Sequence, residues 1–560
     1  MLERVKQDLR RELKKALINS GVVEAEIPEI VFETPKHVKF GDLSSNIALW
    51  AAKKLKKDPR AAANDLLTAL KFDRAMISRV EPAGPGFINF FLAESYLYAL
   101  IKKAAAGEKF YTSNAGGGKS VNLEFVSANP VGPLNVVNAR AAAAGNVICN
   151  LLKNAGFLVT KEFYINNVGV QTNTFGRSIS LRYLEALGQK IEFPEDCYGG
   201  EYVKEIAKTF IEKEGSKYLS LTEEERIAVF KPAGVQLMLD WQEKSLKNYG
   251  VEFDIWFKES ELHEKKELTR AFKVLEEKGM TKEEEGARWF TSTAVLNKEG
   301  NPVDDKDRVL IKSDGTPTYL LPDIAYHFSK ISRGFDYIID ILGPDHHGYI
   351  GRISAAVSIG GLPLENFRIL IAQQVNLLKD GKPFKMSKRQ GNFISMDELV
   401  EEVGPDAAKY FFLRRSLDSH LDFDIDLAKK QTDENPVFYV QYAHARICNV
   451  IEFAKTSGIK EPELAAVNYA LLASPEEAGL MRKVACFADT LQHAALNYDP
   501  HLVPKYIEEL AQLYHSFYAR HRVVSEDKEL SAARLALCLG TRNIIRAGLE
   551  ILGVTAPAKM

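Results

Sequence analysis

The spacing of apolar and polar residues over residues 1–110 is typical of a mixed domain of helices and strands. The opening segment MLERVKQDLRRELKKAL has the spacing of a charged amphipathic helix, and SNIALWAAKKLKKDPRAAANDLL predicts two helices that divide near Asp58 and Pro59. The segment VEPAGPGFINFFL predicts a turn followed by a strand. The glycine-rich segment NAGGGKS at 114–120 predicts a linker, so we expect an N-terminal α/β domain at 1–113.

Beyond this linker the pattern alternates between strand, turn and helix, which predicts a parallel sheet with crossover helices over 114–400. Within this region the charge-rich segment at about 175–290 predicts a helical insertion. The alternation resumes at DYIIDILGPDHHGYIGRI and FRILIAQQVNLL. Over 401–560 nearly all of the periodicity is helical, which predicts an all-α domain. The predicted fold class is therefore α/β, organised in three domains.

The composition is that of an ordinary soluble globular protein, with 46% hydrophobic and 26% charged residues. The 73 basic and 75 acidic side chains nearly cancel, which neither indicates nor excludes a nucleic-acid partner, because a basic face can be local. The five cysteines are scattered and form no CxxC pair, which predicts a reducing, cytoplasmic compartment and no structural zinc. The N-terminus lacks the pattern of a signal peptide and no apolar run is long enough to cross a bilayer, so we expect no membrane partner.

A first candidate site lies in the segment GPLNVVNAR at 132–140, between the strand-like VNLEFV and a helix predicted over about 136–154 with Gly156 as its C-cap. Asn135 and Asn138 stand where this helix begins. A helix N-terminus presents unpaired N–H groups and the positive end of the dipole, an arrangement that suits phosphate. The residues alone favour Asn135 as an N-cap and Asn138 as an exposed first-turn residue. They leave open a second interpretation, in which both amides donate hydrogen bonds to a ligand.

A second candidate site is the segment GKPFKMSKRQGN at 381–392, between an apolar strand and the amphipathic SMDELVEEVG. Lys385, Lys388 and Arg389 place three cations within five residues. Such a loop can close over a polyphosphate and neutralise the charge that develops as pyrophosphate leaves. A run of charge is usually only a solvated loop, but the string KMSKR favours the phosphate-binding interpretation.

The string KMSKR resembles the KMSKS signature of class I aminoacyl-tRNA synthetases, whose other signature, HIGH, lies at a strand–turn–helix early in the nucleotide-binding fold. The turn at 132–140 occupies that place, and EFVSANPVGPLNVVNAR is similar to the arginyl-tRNA synthetase segment EFVSANPxGPLHVGHxR. The resemblance continues in YINNVGVQ, GTPTYLLPDIAYH, GPDHHGYIGR, NPVFYVQYAHAR and the closing LEILGVTAPAKM. It therefore covers the whole chain and points to arginyl-tRNA synthetases of bacterial type.

The resemblance implies a Rossmann-like catalytic domain, an N-terminal domain that contacts the outer corner of tRNA, and a helical C-terminal domain that reads the anticodon. It implies ATP-dependent attachment of L-arginine to tRNA(Arg) through an arginyl-adenylate, with tRNA bound before the first step. Magnesium would accompany ATP, and the family is commonly monomeric. The substrates and partners expected on this basis are arginine, ATP and tRNA(Arg).

The resemblance also assigns residues to the arginine pocket. Glu124 and Asn129 match the acidic and amide positions beside the turn, and Tyr319 and Asp323 match a pair that grips the arginine side chain. A guanidinium is a planar fork of donors that carboxylates bind in a bidentate way. The alternative for Asp323 is structural: Pro322 would occupy the first helical position, and Asp323 would then only complement the helix dipole.

For ATP, the resemblance implies binding by residues of both signatures and of the segment after the strand DYIIDIL: Asn135, Asn138, Asp345, His346, His347, Met386 and Lys388. Of these, Asn135, Asn138 and Lys388 are expected to be catalytic, together with Lys385. Adjacent histidines point to different faces, which argues against a metal site there. In the C-terminal domain Tyr439 and Tyr442 are the candidates for stacking on single-stranded bases, although aromatic stripes on helices are more often core.

The chain departs from the family pattern where HVGH reads NVVN, which replaces two histidines by asparagines and a glycine by Val137. Asn167 also stands where the family usually has an aspartate. An activation-deficient tRNA-binding paralogue is therefore an alternative, as is a class I synthetase for another amino acid such as cysteine. The intact KMSKR loop and arginine pocket favour an active arginine enzyme.

Overall fold

The computed structural model describes residues 2–35, 37–384 and 394–560, and its N-terminal part is an antiparallel sheet covered by helices. The helices are α1 (Leu2–Asn19), α2 (Ile47–Leu55), α3 (Pro59–Ala69) and α4 (Glu94–Ala105). The strands are β1 (Leu43–Ser45), β2 (Ile77–Ala83) and β3 (Phe87–Leu92), in the order β1-β3-β2. The predicted division near Asp58 is confirmed, because the Asp58 side chain accepts hydrogen bonds from two N–H groups of α3 and Pro59 is its first residue.

Residues 114–400 contain most of the strands and the helices that connect them. The strands are β4 (Ser120–Glu124), β5 (Leu158–Ile165), β6 (Ile255–Lys258), β7 (Thr281–Glu284), β8 (Ala287–Phe290), β9 (Arg308–Ile311), β10 (Tyr337–Leu342), β11 (Phe367–Ile371), β12 (Val375–Lys379) and β13 (Lys382–Phe384). The helices are α5 (Val136–Asn154), α6 (Val170–Ala186), α7 (Glu201–Glu214), α8 (Glu223–Asn248), α9 (Glu259–Glu264), α10 (Glu267–Glu277), α11 (Leu320–Ser332), α12 (Ile350–Ile359) and α13 (Met396–Val403).

The predicted parallel sheet is confirmed, with the strand order β11-β10-β4-β5-β6 and parallel pairing between all neighbours. From the central strand β4 the chain passes through α5 to β5 on one side, and it later returns as β10 on the other side. The order therefore reverses between β4 and β10. Open sheets of this kind bind ligands beyond the carboxyl ends of the strands at such a reversal, which here is marked by Glu124 and Gly343.

Helix α5 begins and ends where the sequence predicts, at Val136 and Asn154, and Gly156 follows with a φ of 87°. Its alanine-rich sequence lets it lie buried against the sheet. Gly145 has a specific packing role, because a Cβ built there would stand 2.4 Å from the ring of Phe125. This close approach seats the helix directly beneath the end of β4.

The segment predicted as a helical insertion contains strands as well as helices. Helices α6, α7 and α8 occupy 170–248, but β6 then joins the parallel sheet at its edge, and β7 and β8 form an antiparallel hairpin that pairs with β9. Strand β6 has four residues, and the charged residues after it belong to α9 and α10. A strand so short between charged helices leaves almost no alternation to detect.

The C-terminal part is the predicted helical domain. It comprises α14 (Pro405–Leu413), α15 (Ile425–Lys429), α16 (Pro436–Thr456), α17 (Pro475–Ala485), α18 (Phe487–Asn497), α19 (Leu502–Arg520) and α20 (Lys528–Leu552), with one short strand, β14 (Leu421–Asp424), beside β12. Its core is continuous with that of the other two parts, and a second apolar cluster lies around α11 and α12. Within the described residues, no helix combines the length and apolarity that spanning a membrane requires.

Candidate active site

A cavity of about 1320 Å³ opens at the carboxyl ends of β4 and β10. Cavities for single small ligands usually measure about 300–1,000 Å³, so this one has room for an amino acid and a nucleotide together. Eight of the residues singled out from the sequence line it: Glu124, Asn129, Asn135, Asn138, Tyr319, Asp323, Asp345 and His346. The structure therefore brings together residues that are separated by up to 222 positions (346 − 124) in the sequence.

Glu124 is held rigidly at the end of β4 by a strained turn. Val126 and Ser127 both have positive φ values, 70° and 38°, which is unfavourable for residues with a Cβ and above all for β-branched valine. In this conformation the Ser127 hydroxyl donates to Oε1 of Glu124 at 2.8 Å. The buried ammonium group of Lys330 contacts Oε2 at 2.5 Å, so both carboxylate oxygens have fixed partners.

Asn129 lies across the cavity mouth and is tied to helix α6. Its Nδ2 donates to Oε1 of Gln171 at 2.8 Å, and Gln171 itself lines the cavity. The carbonyl of Asn129 also accepts a hydrogen bond from Gln242 of α8 at 3.2 Å. The turn that follows β4 is thus fixed by two helices of the inserted segment.

Helix α11 supplies Tyr319 and Asp323, but it begins two residues earlier than the sequence predicts. Its first residue is Leu320, so Pro322 is not at the first helical position. Tyr319 is 80% exposed at the helix start, where it lines the open side of the cavity and is free to cover a bound ligand. Asp323 remains in the first turn, half-buried in the cavity wall.

Among the described residues, no cation lies within ion-pair distance of the Asp323 carboxyl group. Burial raises its pKa to about 7; the charge of His327 opposes this shift, while Glu259 and Glu124 add to it. Among the described residues, no hydrogen bond or ion pair within bonding distance reaches the carboxylate oxygens. A carboxyl group destabilised by burial and by neighbouring acids, and open to a cavity, is suited to a positively charged ligand.

Three charged residues that the sequence analysis did not single out support this wall of the cavity. Lys330 of α11 and Asp340 of β10 form a buried ion pair at 2.7 Å, and His327 contacts the same carboxylate at 2.8 Å. A signal for them exists: Asp323, His327 and Lys330 are spaced i, i+4 and i+7 on one helix face, and Asp340 is a lone acid inside the apolar strand YIIDIL. Charged residues on a core-facing stripe predict buried partners.

Asn135 and Asn138, which line the same cavity, form a reciprocal cap on α5. Oδ1 of Asn135 accepts from the N–H groups of Val137 and Asn138, at 2.9 and 3.0 Å, and Oδ1 of Asn138 accepts from the N–H of Asn135 at 3.0 Å. The capping interpretation of Asn135 is therefore confirmed, and Asn138 caps as well. Within the described part of the chain neither Nδ2 group donates a hydrogen bond, so each side chain keeps a donor beside the cavity.

Asn167, the other departure from the family pattern, forms a reciprocal pair with the start of α9. Its Nδ2 donates to the hydroxyl of Ser260 at 3.0 Å, and its Oδ1 accepts from the N–H of Ser260 at 3.0 Å. An aspartate would accept from both groups of Ser260, since a hydroxyl can donate or accept. Asparagine in place of aspartate at position 167 therefore preserves the contact with Ser260.

Asp345 and His346 lie in a short 3-10 segment, Pro344–Tyr349, that follows β10. Both line the cavity next to the N-terminus of α5. The side chain of His347 lies outside what the structure describes. Within the described residues no group of three or more His, Cys, Asp and Glu side chains is arranged to hold a metal ion, and the expected absence of structural zinc stays a prediction.

Lys385, Met386, Lys388 and Arg389 lie outside the described residues. The chain on their far side is attached to the start of α5: Ser395 forms a β-bridge with Asn135, and the N–H of Met396 donates to the carbonyl of Leu134 at 2.8 Å. Helix α8 fixes both segments, because Gln242 donates to the carbonyl of Gly132 at 2.9 Å and Ser245 donates to Asp397 at 2.7 Å. The chain that resumes at residue 394 is therefore held against the turn that carries Asn135.

Tyr439 and Tyr442 lie far from this cavity, on a half-buried face of α16. Both rings contact His515 of α19, with centroids 4.9 and 6.0 Å apart, and the Arg446 guanidinium lies 5.5 Å from the Tyr442 ring. Aromatic rings beside a cation form a surface on which unpaired bases can stack. Both rings are only partly buried.

Comparison with known proteins assigns a family to all three parts of the chain. Residues 3–92 match the arginyl tRNA synthetase N-terminal domain, residues 100–413 the catalytic domain of tRNA synthetases class I (R), and residues 440–560 the DALR anticodon binding domain. The match to the catalytic domain covers more than half of the chain. The resemblance noted in the sequence is confirmed.

Whole-length relatives agree with this result. The chain is 43% identical to the arginine–tRNA ligase of Bacillus subtilis (strain 168) over 561 residues, covering 100% of this chain and 99% of that protein. It is 42% identical to the arginine–tRNA ligase of Geobacter sp. (strain M21), covering 100% of both. The arginyl-tRNA synthetase of Thermus thermophilus superimposes with a TM-score of 0.76 at 22% identity, over 99% of this chain and 100% of that chain, and so supports the fold alone. The chain belongs to the arginyl-tRNA synthetase family of class I enzymes.

Proposed function

We propose that this chain attaches L-arginine to tRNA(Arg) in an ATP-dependent reaction that passes through an arginyl-adenylate. The observation that carries the proposal is a single cavity lined by an acidic wall, which we call the acidic end, and by a capped helix N-terminus, which we call the nucleotide end. The acidic wall suits a guanidinium and the helix N-terminus suits phosphate. The curated relatives are arginine–tRNA ligases, and none of them favours the activation-deficient alternative.

At the acidic end, Asp323 and Glu124 recognise the two positive groups of arginine. We assign the guanidinium to Asp323 and Tyr319, since Asp323 is the carboxyl group that lacks a cation, and the α-amino group to the region of Glu124 and Asn129. The raised pKa of Asp323 falls again when a guanidinium binds, because an adjacent cation favours the ionised carboxyl. Tyr319 then closes over the ligand from its exposed position.

At the other end, Asn135 and Asn138 act as neutral donors toward the phosphates of ATP. Capping occupies Oδ1 of each side chain, which fixes the orientation of each amide and leaves Nδ2 as the group available to a ligand. The N-terminus of α5 adds the positive end of its dipole. Asp345, His346 and His347 complete the nucleotide side of the cavity in this assignment.

In the first step the arginine α-carboxylate attacks the α-phosphorus of ATP, and the bond to the pyrophosphate leaving group breaks. Lys385, Met386 and Lys388 belong to the segment that would close on the phosphates, and the cations neutralise charge on the departing pyrophosphate. The donors that Asn135 and Asn138 offer are side-chain amides, which fit phosphate oxygens rather than a metal. Magnesium bound to ATP would supply further charge neutralisation, held mainly by phosphate oxygens and water.

In the second step a hydroxyl of the terminal ribose of tRNA attacks the arginyl carbonyl and AMP leaves. The C-terminal helices carry the anticodon contact, for which Tyr439 and Tyr442 are the candidate stacking residues. We place the domain boundaries at 1–113, 114–400 and 401–560, and we propose a cytoplasmic monomer. Specific contacts at both ends of the tRNA explain why a protein with almost no net charge binds a polyanion.

The test is ATP–pyrophosphate exchange with each amino acid, with and without tRNA(Arg). We expect exchange with arginine alone and only when tRNA is present. Equal exchange with lysine or cysteine would contradict the arginine pocket. An absence of exchange under every condition, together with normal tRNA binding, would establish the activation-deficient alternative.

A further inference from the structure

Three buried side chains, Lys330, Asp340 and His327, link the carboxylate of Glu124 to the backbone carbonyl of Asp323. Lys330 is wholly buried and bridges Glu124 and Asp340, at 2.5 and 2.7 Å, while its ammonium group lies 4.4 Å from the centre of the Tyr326 ring. Its three N–H donors thus face two carboxylates and one ring. Asp340, 2% exposed, in turn contacts His327, which lies one helical turn after Asp323.

His327 is the residue that connects this chain to Asp323, and both of its ring nitrogens face acceptors. Nδ1 lies 2.7 Å from the backbone carbonyl of Asp323, and Nε2 lies 2.8 Å from Oδ2 of Asp340. A carbonyl oxygen can only accept. Burial alone would raise the pKa of Asp340, but the charges of Lys330 and His327 outweigh it and lower that pKa to about 2, so this carboxylate also accepts. Both ring nitrogens must therefore carry a proton.

We infer that His327 donates from both ring nitrogens, as an imidazolium, in the ligand-free protein and that Lys330, Asp340 and His327 are positioning residues for arginine. This inference rests on the proposed arginine-binding roles of Glu124 and Asp323. His327 holds the start of α11 against β10 and supplies a positive charge that keeps Asp323 able to ionise. Lys330 holds one oxygen of Glu124, so the Glu124 carboxylate and the backbone of Asp323 are held in place by the same buried link.

Charged residues on the neighbouring elements act on Asp323 and Lys330, and their combined effect supports the inference. Glu259 of α9 and Glu124 of β4 disfavour ionisation of Asp323, while His327 and Arg352 of α12 favour it. The aromatic rings of Tyr326 and Phe367 flank His327 at 5.6 Å each and exclude water from it. Burial would lower the pKa of Lys330, but the carboxylates of Asp340, Glu124 and Glu162 outweigh it and raise that pKa, so the lysine stays charged.

The charge on His327 and its hydrogen bonds can be separated by substitution. In His327→Gln the side-chain amide can still donate to Asp340, because Nε2 of glutamine takes the place of Nε2 of histidine, but the positive charge is lost. In His327→Asn the donor toward the Asp323 carbonyl is retained and the charge is again lost. Both variants should therefore fold while removing the feature that the inference requires.

The experiment measures kcat/KM for arginine between pH 6 and 9 by tRNA-dependent ATP–pyrophosphate exchange at saturating ATP and tRNA. In the wild type, kcat/KM should rise with pH and level off above about 7, as the Asp323 carboxyl ionises. Without the imidazolium the ionisation requires a higher pH. We expect both His327 variants to shift the rising part of this pH profile upward by about one pH unit and to raise KM for arginine about fivefold at pH 7. KM for ATP should not change.

A matched control is Arg333→Gln, which breaks another ion pair of α11. Arg333 contacts the buried Glu162 at 2.7 Å, and that carboxylate touches neither Asp323 nor Asp340. This control should lower thermal stability without changing the pH dependence of kcat/KM for arginine. The His327 variants could instead lower kcat alone and leave both KM for arginine and the pH dependence of kcat/KM unchanged. In that case His327 is merely structural and the inference is wrong.

Asp323→Asn separates this failure from failure of the proposed function. If Asp323→Asn leaves KM for arginine unchanged, the arginine pocket itself is misassigned. If Asp323→Asn abolishes arginine activation and the His327 variants match the wild type, the positioning role alone is overturned. Lys330→Met offers a second route: with Glu124 no longer held, KM for arginine should rise more than KM for ATP, and Lys330→Arg should restore part of the loss.

Discussion

The two ends of the cavity recognise their ligands by different physical means. At the N-terminus of α5, the candidate donors are neutral amides fixed by a capping box, and none of the groups involved titrates near neutral pH. At α11, recognition depends on the carboxylates of Asp323 and Glu124, which are supported by the buried residues His327, Lys330 and Asp340. The comparison shows that replacing histidine by asparagine in the first signature removes two titratable groups from the N-terminus of α5, whereas recognition at α11 still depends on a titratable carboxyl group.

The largest expected effect comes from removing the charge that the acidic end offers. Asp323→Ala leaves the arginine guanidinium without its partner in a partly buried site, which should cost on the order of 3–5 kcal/mol of arginine binding. The measurement is KM for arginine in tRNA-dependent exchange. KM for ATP is the internal control, because Asp323 lies at the other end of the cavity. An equal rise in KM for arginine and KM for ATP would contradict separate recognition of the two substrates.

A slightly smaller effect is expected at the neutral end. Asn138→Ala removes one preorganised donor, which should lower the rate of arginine activation about 10²- to 10³-fold. Loss of the cap should cost only about 1 kcal/mol of folding free energy. Activation rates and urea unfolding, measured on the same preparations, separate these two roles.

A matched variant, Asn138→Asp, keeps an oxygen for the cap and removes the donor. It should fold as stably as the wild type, since an acidic group is favoured at a helix N-terminus, and it should still lose activation. Full activity in both Asn138 variants, and in Asn135→Ala, would mean that the asparagines are caps alone and that another group holds the phosphates.

A third region should be independent of both ends. Tyr442→Ala removes a candidate stacking surface on α16 and should weaken tRNA binding by about 1–3 kcal/mol, with the constants for arginine unchanged once tRNA is saturating. Phe453→Ala on the same helix is the control, because that ring is 60% exposed and belongs to no aromatic cluster among the described residues. Equal tRNA affinity in both variants would exclude Tyr442 from the interface.

The smallest expected effect concerns stability. The pKa of Asp323 is about 7 in the folded protein against an ordinary value of 3.8, so the folded state loses stability as pH rises from about 4 through 7. Asp323→Asn removes this penalty and should stabilise the ligand-free protein at pH 8 by on the order of 1 kcal/mol, reduced because the side chain is half-exposed. Thermal unfolding at pH 5 and pH 8 tests this, since the gain should be clearly larger at pH 8 than at pH 5.

Much of the arginine end was predictable from the sequence. Glu124, Asn129, Tyr319 and Asp323 all line the cavity, and α5 has the bounds that its pattern predicts. The family signatures carry this information because they are contiguous strings. Short-range periodicity identifies α5 because it is long, alanine-rich and ends before a glycine.

What escaped prediction depends on contacts between distant segments. Lys330 and Asp340 are ten residues apart, yet both reach Glu124 or its neighbours only because β10 pairs with β4. Strand β6 was missed for the same reason, since its four residues are defined by pairing with β5 rather than by their own pattern. The start of α11 was placed at Pro322 because a proline favours the first helical position, whereas tertiary packing extends the helix back to Leu320.

The most direct test of the contrast between the two ends is the pH dependence of the wild-type enzyme for each substrate separately. We predict that kcat/KM for arginine, at saturating ATP and tRNA, falls about tenfold for each pH unit below 7, as Asp323 takes up a proton. Under matched conditions kcat/KM for ATP, at saturating arginine, should stay nearly constant from pH 6 to 8. Parallel pH profiles for the two substrates would contradict the account, because they would show that both ends of the cavity depend on the same titrating group.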